Sequence, residues 1–132
     1  PDLHTAGLAA ALQDLVAPLA AAGVHVDADV SGDEDASEAA VALVWRVAQE
    51  AVRNVARHAR ASRMSLTVRR DGAALVLEVV DDGVGFDPSA TSGDGHYGLR
   101  AAGSLVREHG GSMEVESAPG SGTMVRVEVP LA

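Results

Sequence analysis

The dipeptide Asp71-Gly72 does most to narrow what this chain can fold into. It separates RMSLTVRR (63–70), which alternates apolar and polar, from the largely apolar AALVLEVVDD (73–82). Asp-Gly between two such runs is a strong two-residue hairpin signal, because glycine supplies the left-handed backbone that a tight turn needs. Residues 63–82 therefore read as two antiparallel strands. SMEVESA (112–118) and TMVRVEVPL (123–131) form a second pair, joined by Pro119-Gly120-Ser121-Gly122. VHVDADV (24–30) alternates in the same way and adds a fifth strand.

The segments between the strands carry helical spacing. Leu8, Leu12, Leu15 and Leu19 mark a helix over residues 5–22, which Pro18 is expected to kink or restart and Gly23 to stop. The acidic loop SGDEDAS (31–37) leads into a helix over 36–59, and LRAAGSLVREH (99–109) forms a third helix, closed by Gly110-Gly111. The order α, β, α, β, β, loop, α, β, β predicts a two-layer α/β sandwich: a mixed sheet of about five strands with about three helices on one face. The 132 residues suit one domain, covering 1–132. The chain opens on Pro1 with no initiator Met and is expected to be a piece of a longer protein.

Composition removes several functions. The single Trp, Tyr and Phe leave the core to Ala, Val and Leu. A net charge of −9, with only 10 Lys plus Arg, argues against binding a nucleic-acid backbone. The chain has no cysteine, so disulfides and thiolate metal sites are excluded. No apolar run approaches the roughly 20 residues needed to span a membrane.

Two places depart from what a simple fold requires. In AQEAVRNVARHARAS (48–62), Glu50, Asn54 and His58 fall four apart. At about 100° per residue they form one row, flanked by Arg46, Arg53 and Arg57. Val44, Ala48, Ala51, Val52, Val55 and Ala59 form the face that packs on the sheet, and the opposite face is expected to carry the row. On its own such a row is most often a solvated polar face. The second place is VVDDGVGFD (79–87), where a buried strand ends in Asp81-Asp82 and then Gly83 and Gly85. A turn needs one such glycine; two in DxGxG spacing let a ligand approach the backbone. The loop over 83–98 holds five glycines and ends in GDGHYGL, at the start of a helix, where free N–H groups and the helix dipole suit a phosphate. No Walker A pattern is present. A strand-end acid for a base, glycines for close approach, a helix start for phosphates, and Glu and Asn oxygens for a hard cation together read as a Mg-nucleotide site.

These residues resemble the catalytic ATP-binding domain of bacterial sensor histidine kinases, which has the Bergerat fold shared with gyrase, Hsp90 and MutL. QEAVRNVARHARAS is similar to the family's asparagine motif, DDGVGF to its first glycine motif, GHYGL to its second, and GGSMEVESAPGSGTMVRVEVP to its closing hairpin. RHARAS, DDGVGF and the opening Leu3, Gly7-Leu8, Ala11-Leu12 look most like the nitrate-sensor subfamily, although Ala101 stands where that subfamily often has a second glycine.

The resemblance implies ATP and Mg²⁺ as cofactors. It makes Asn54 a metal ligand. Glu50 would stand beside the metal and the reacting phosphate as the catalytic residue, placed to polarise the attacking imidazole. Arg57 and His58 would lie near the phosphates, and Asp81 would accept the adenine amino proton. Gly83 and Gly85 would floor the pocket, while Gly95, Gly98 and Leu99 would contact phosphates through a lid over about residues 87–97. Thr123 matches a threonine near that aspartate. The implied partners are a dimerisation domain bearing the acceptor histidine and a response regulator, with no nucleic acid and no membrane contact. The parent would be a cytoplasmic or membrane-anchored homodimer, and the isolated domain a monomer. Leu3-His4 is followed by Thr5 rather than an acid, so His4 is not read as the acceptor. Two alternatives stay open: an anti-sigma-factor serine kinase, and a degenerate nucleotide-binding module of the same superfamily.

Overall fold

The computed structural model describes residues 7–87 and 97–132. The element order is α1 (Gly7–Ala21), β1 (His25–Val30), α2 (Glu38–Asn54), a π-helical turn (Val55–Ala59), β2 (Arg63–Asp71), β3 (Ala74–Asp81), α3 (Tyr97–Glu108), β4 (Ser112–Ser117) and β5 (Thr123–Pro130). The five strands form one mixed sheet in the order β1-β2-β3-β5-β4. β1 runs parallel to β2, and every other pair is antiparallel. The expected two-layer α/β sandwich is what the chain forms.

The period of each segment decides which side it buries. In α2, Ala40, Val44, Val47, Ala48, Ala51 and Val52 are buried, a stripe three or four residues apart. Ser37 caps this helix, its Oγ accepting from the Ala40 N–H at 3.1 Å. On the sheet, Leu75, Leu77 and Val79 of β3 and Val125, Val127 and Val129 of β5 alternate with outward residues and pack beneath the helices. The other face is held by charge pairs, among them the cross-strand pairs of Glu78 with Arg69 at 3.8 Å and with Arg126 at 4.0 Å, and Arg126 with Glu128 along β5 at 2.8 Å.

Two details differ from the periodicity reading. Pro18 does not restart α1, which is one helix to Ala21. Pro18 lies in the last turn, where one lost N–H bond is offset by the buried Leu8, Leu12, Val16 and Leu19. The second helix is α only to Asn54, where a π turn begins. The inserted turn ends at Arg60, whose left-handed backbone (φ 50) is the only positive φ outside glycine among the described residues. Non-glycine residues hold such a conformation where their surroundings over-determine it. Here Asp82 does so. Its Oδ1 accepts from the Ser62 and Arg63 N–H groups at 2.8 and 2.9 Å, and its Oδ2 accepts from the Ser62 hydroxyl at 2.7 Å. The Asp82 N–H returns a bond to the Arg63 carbonyl at 3.2 Å. The end of the second helix is thereby tied to the end of β3.

Candidate functional site

The inner face of the sheet changes character at one end. Asp81, Thr123 and Ser117 are direct partners across β3, β5 and β4. Each ends an inward row that is otherwise apolar: Leu75, Leu77 and Val79; Val129, Val127 and Val125; Met113 and Val115. The hydrophobic layer therefore stops at the same level in three adjacent strands. A cavity opens there, with about 560 Å³ of space that includes its mouth, lined by Ala51, Asn54 and Val55 from the second helix, Leu99 from α3, Val79, Asp81, Thr123 and Val125 from the sheet, and Gly85 and Phe86 from the loop. Its walls are mainly apolar with a few convergent polar groups, the usual make-up of a small-molecule site.

Asp81 is the only buried polar or charged residue among the described residues, at 7% exposure. Burial pushes its pKa above the ordinary carboxylate value; the Gly83 N–H, bonded to Oδ1 at 2.8 Å, opposes that shift, and the neighbouring Asp82 adds to it. Asp82 behaves in the opposite sense. The Ser62 hydroxyl, then the Arg63 N–H, hold its pKa below the usual value. The two adjacent carboxylates thus divide their tasks: one faces the cavity and one ties the backbone.

Asn54 stands at the junction of α2 and the π turn. Its Oδ1 and Nδ2 are both buried and neither has a hydrogen-bond partner among the described residues. An amide left so costs about 1–3 kcal/mol of desolvation, which a bound ligand or ion would relieve. π turns recur at functional sites, and this one begins at the residue that lines the cavity. Glu50, one helical turn earlier, is only 13% exposed in its side chain and pairs with Arg53 at 3.6 Å. Its carboxylate lies against the first turn of α3: a Cβ added to Gly98 would come within 2.2 Å of Glu50 Oε2. Glu50 and Asn54 therefore do not lie on an open face opposite the sheet, as periodicity suggested. Glu50 and Asn54 turn towards the seam between α2 and α3 and the cavity, because α3 covers that flank.

The other expected residues fall as follows. Gly83 is buried and spends its N–H on Asp81. Gly85 has φ +67, and a Cβ there would come within 2.1 Å of the Ala118 carbonyl oxygen, so the protein's own hairpin already demands glycine. Leu99 is buried, at 3% exposure, and its side chain helps wall the cavity. Arg57 is exposed on the π turn. The backbone of His58 lies in that turn, and its side chain, like Gly95 and most of the expected lid, falls outside the described residues. Sequence reasoning missed Ser117. Its hydroxyl joins the Gly122 carbonyl, the Phe86 N–H and the Thr123 hydroxyl at 2.8, 2.9 and 2.8 Å. The alternation of SMEVES already placed Ser117 on the inner face, but its partners depend on a hairpin register that the sequence does not display.

Among the described residues, no group of three or more His, Asp or Glu side chains is placed to hold a metal alone. The residues present fit Mg²⁺ in a different way. An orphaned buried Asn54 oxygen and the Glu50 carboxylate, on the order of 6 Å apart at their Cβ atoms, suit an ion whose other ligands are water and phosphate oxygens.

The chain is similar to several known proteins. Residues 40–132 match the family described as histidine kinase-, DNA gyrase B- and HSP90-like ATPase. The sensor histidine kinase LiaS of Bacillus subtilis (strain 168) is 36% identical over 88 residues, 67% of this chain and 24% of LiaS. The chain thus spans about a quarter of that relative's length. The blue-light activated histidine kinase of Erythrobacter litoralis shares the fold with a TM-score of 0.75 at 24% identity, over 94% of this chain and 42% of that one. A structure of the histidine kinase domain from the same protein superposes with a TM-score of 0.64 at 22% identity, over 94% of this chain and 61% of that one. With a family match across 93 of its 132 residues (40 to 132 inclusive), this chain belongs to the histidine kinase-, DNA gyrase B- and HSP90-like ATPases, as a catalytic ATP-binding domain of the sensor histidine kinase type.

Proposed function

We propose that this chain binds Mg-ATP in the cavity at the open end of the sheet and, within a longer sensor kinase, transfers the γ-phosphate to a histidine on a dimerisation domain, for relay to a response regulator. The observation that carries the reading is the pairing of Asp81 and Asn54 on one cavity: a buried carboxylate with room for a base beside it, and a buried amide with no partner among the described residues. In this reading Asp81 accepts the amino proton of adenine, Gly83 orients that carboxylate, and Thr123 stands next to it. Asn54 would hold Mg²⁺, with Glu50 beside it. The ion, when bound, neutralises charge on the phosphate oxygens, and the rest of the task is positioning. Arg57, His58, Gly95, Gly98 and Leu99 complete the phosphate end. Glu50 takes or orients the proton of the incoming imidazole. RHARAS and DDGVGF favour the nitrate-sensor subfamily. None of the described helices is long and apolar enough to cross a membrane. The proposal places the domain in the cytoplasm as a monomer when isolated, within a homodimeric parent that is free or membrane-anchored.

The test is to incubate the chain, joined to its own dimerisation domain, with γ-labelled ATP. Acid-labile label on a histidine is expected, followed by its loss to a response regulator. Label appearing on a serine of a partner protein instead would transfer the assignment to the anti-sigma-factor kinases. No label together with tight nucleotide binding would leave a binding module.

A further inference from the structure

The Ser117 hydroxyl touches three polar groups but has one proton and two lone pairs. The Gly122 carbonyl can only accept, so it takes the Ser117 proton. The Phe86 N–H can only donate, so it fills one lone pair. One lone pair remains, and the Thr123 hydroxyl must therefore donate into it. The reverse arrangement would give the Ser117 proton to Thr123 and strip the Gly122 carbonyl of this bond, an unfavourable exchange at a buried glycine. The Thr123 proton is thus turned into the hairpin, and only its lone pairs are left for a ligand in the cavity.

Asp81 is the direct cross-strand partner of Thr123. Once ionised it too can only accept. We infer that Ser117 is a specificity-determining positioning residue: by taking the Thr123 proton it makes this wall of the cavity all acceptor, so that the site takes a purine with an amino group at C6 and refuses a 6-oxo purine. The inference rests on the nucleotide reading above and deepens it. Asp81 cannot enforce the choice alone. A 6-oxo purine also carries an N1–H, which a slightly shifted base can give to a carboxylate. Its carbonyl then falls beside Thr123, and the outcome depends on whether that hydroxyl is free to donate. Ser117 removes the option. A site that leaves a buried polar group facing a like group discriminates far better than one that only changes shape.

The experiment compares ATP and inosine triphosphate binding, by calorimetry, for the wild-type chain and the Ser117→Ala, Thr123→Val and doubly substituted variants. Wild type should prefer ATP. S117A frees the Thr123 hydroxyl to turn, so its preference should narrow by about tenfold, the scale of one neutral hydrogen bond gained in place of a clash. T123V removes the oxygen without supplying a donor, so it should narrow the preference less, and the double variant should match T123V. A purely structural role for Ser117 would weaken both nucleotides alike and leave their ratio unchanged; that result, with ATP still bound by wild type, overturns this inference alone. Wild type binding neither nucleotide overturns the nucleotide reading and the inference with it. If S117A does not fold, T123V decides. It keeps the Ser117 bonds to Phe86 and Gly122, and an unaltered ratio there refutes the proposal.

Discussion

Replacing Asp81 with Asn should separate binding from stability in opposite directions. An asparagine keeps an oxygen for the Gly83 N–H, so the turn that follows β3 survives. What it loses is the charge that would receive the adenine amino group. Hydrogen bonds to a charged group are worth about 1.5–3 kcal/mol, so ATP affinity should fall roughly 10- to 150-fold. The fold should not suffer. Burial raises the Asp81 pKa, meaning the folded state disfavours its ionised form. The stability deficit this causes is absent below the unfolded-state value, grows as pH climbs through that value, and is complete above the folded-state one. Above the folded-state value the wild type carries the whole deficit, and the Asn variant carries none at any pH. The variant's melting temperature should therefore equal or exceed that of wild type at pH 7, and the gap should close as pH falls towards the ordinary Asp range. Wild-type ATP affinity should weaken over the same range as Asp81 takes up its proton. Calorimetric titration with Mg-ATP and thermal melts across pH give both quantities. Unchanged affinity in the variant would remove Asp81 from the pocket assignment. A large fall in melting temperature at neutral pH would show the carboxylate to be structural.

Asn54→Ala removes two buried atoms that have no partner among the described residues, so it should leave the melting temperature within a few degrees of wild type while Mg-dependent ATP affinity drops at least tenfold; a collapse in stability with normal affinity would make Asn54 a packing residue. Glu50→Gln should cut autophosphorylation of the chain joined to its dimerisation domain by roughly 10²–10⁴-fold, the scale of general base catalysis, with ATP affinity little changed, and near-normal transfer would strike Glu50 from the catalytic residues. Gly98→Ala pushes on the Glu50 carboxylate, a mobile side-chain end, so transfer should fall while melting temperature stays level or rises, because Ala suits a helix better than Gly. Gly85→Ala meets backbone oxygens instead. A left-handed Ala costs about 1–2 kcal/mol and overpacking about 1–3 kcal/mol more, so its melting temperature should drop by on the order of 10 °C. Lost affinity at an unchanged melting temperature would show that Gly85 serves the ligand rather than the hairpin.

Some of the site was legible because it uses the same periods as the fold. Val44, Ala48, Ala51 and Val52 are the buried stripe that helical spacing predicts, and both hairpins close where Asp71-Gly72 and Pro119–Gly122 stand. The π turn was not legible, since five residues of slightly wider winding leave no mark on a 3.6-residue pattern, and it displaces the continuation of the Glu50–Asn54 row. The clamp by Asp82 was hidden for a different reason. It joins residues about twenty apart in sequence, and nothing in DDGVGF says which of two adjacent carboxylates faces inward until the pleat of β3 is known. The pleat puts Asp81 in line with Leu75, Leu77 and Val79, and so leaves Asp82 at the strand's end to hold Ser62 and Arg63.

The same pleat explains why the cavity lies where it does. A sheet face that stays apolar to its end seals against the helices above it. Here three neighbouring strands end their inward rows on a polar residue at one level, and the register Asp81–Thr123–Ser117 turns three separate substitutions into one polar edge. None of the three alone would open a site, because a lone buried hydroxyl or carboxylate is satisfied by local backbone. Placed side by side, they share donors: Gly83 serves Asp81, Phe86 serves Ser117, and Thr123 spends its proton on Ser117. The edge is then satisfied within the protein yet still short of donors on the side that faces the cavity. A base that brings an amino group completes it, and one that brings a carbonyl does not.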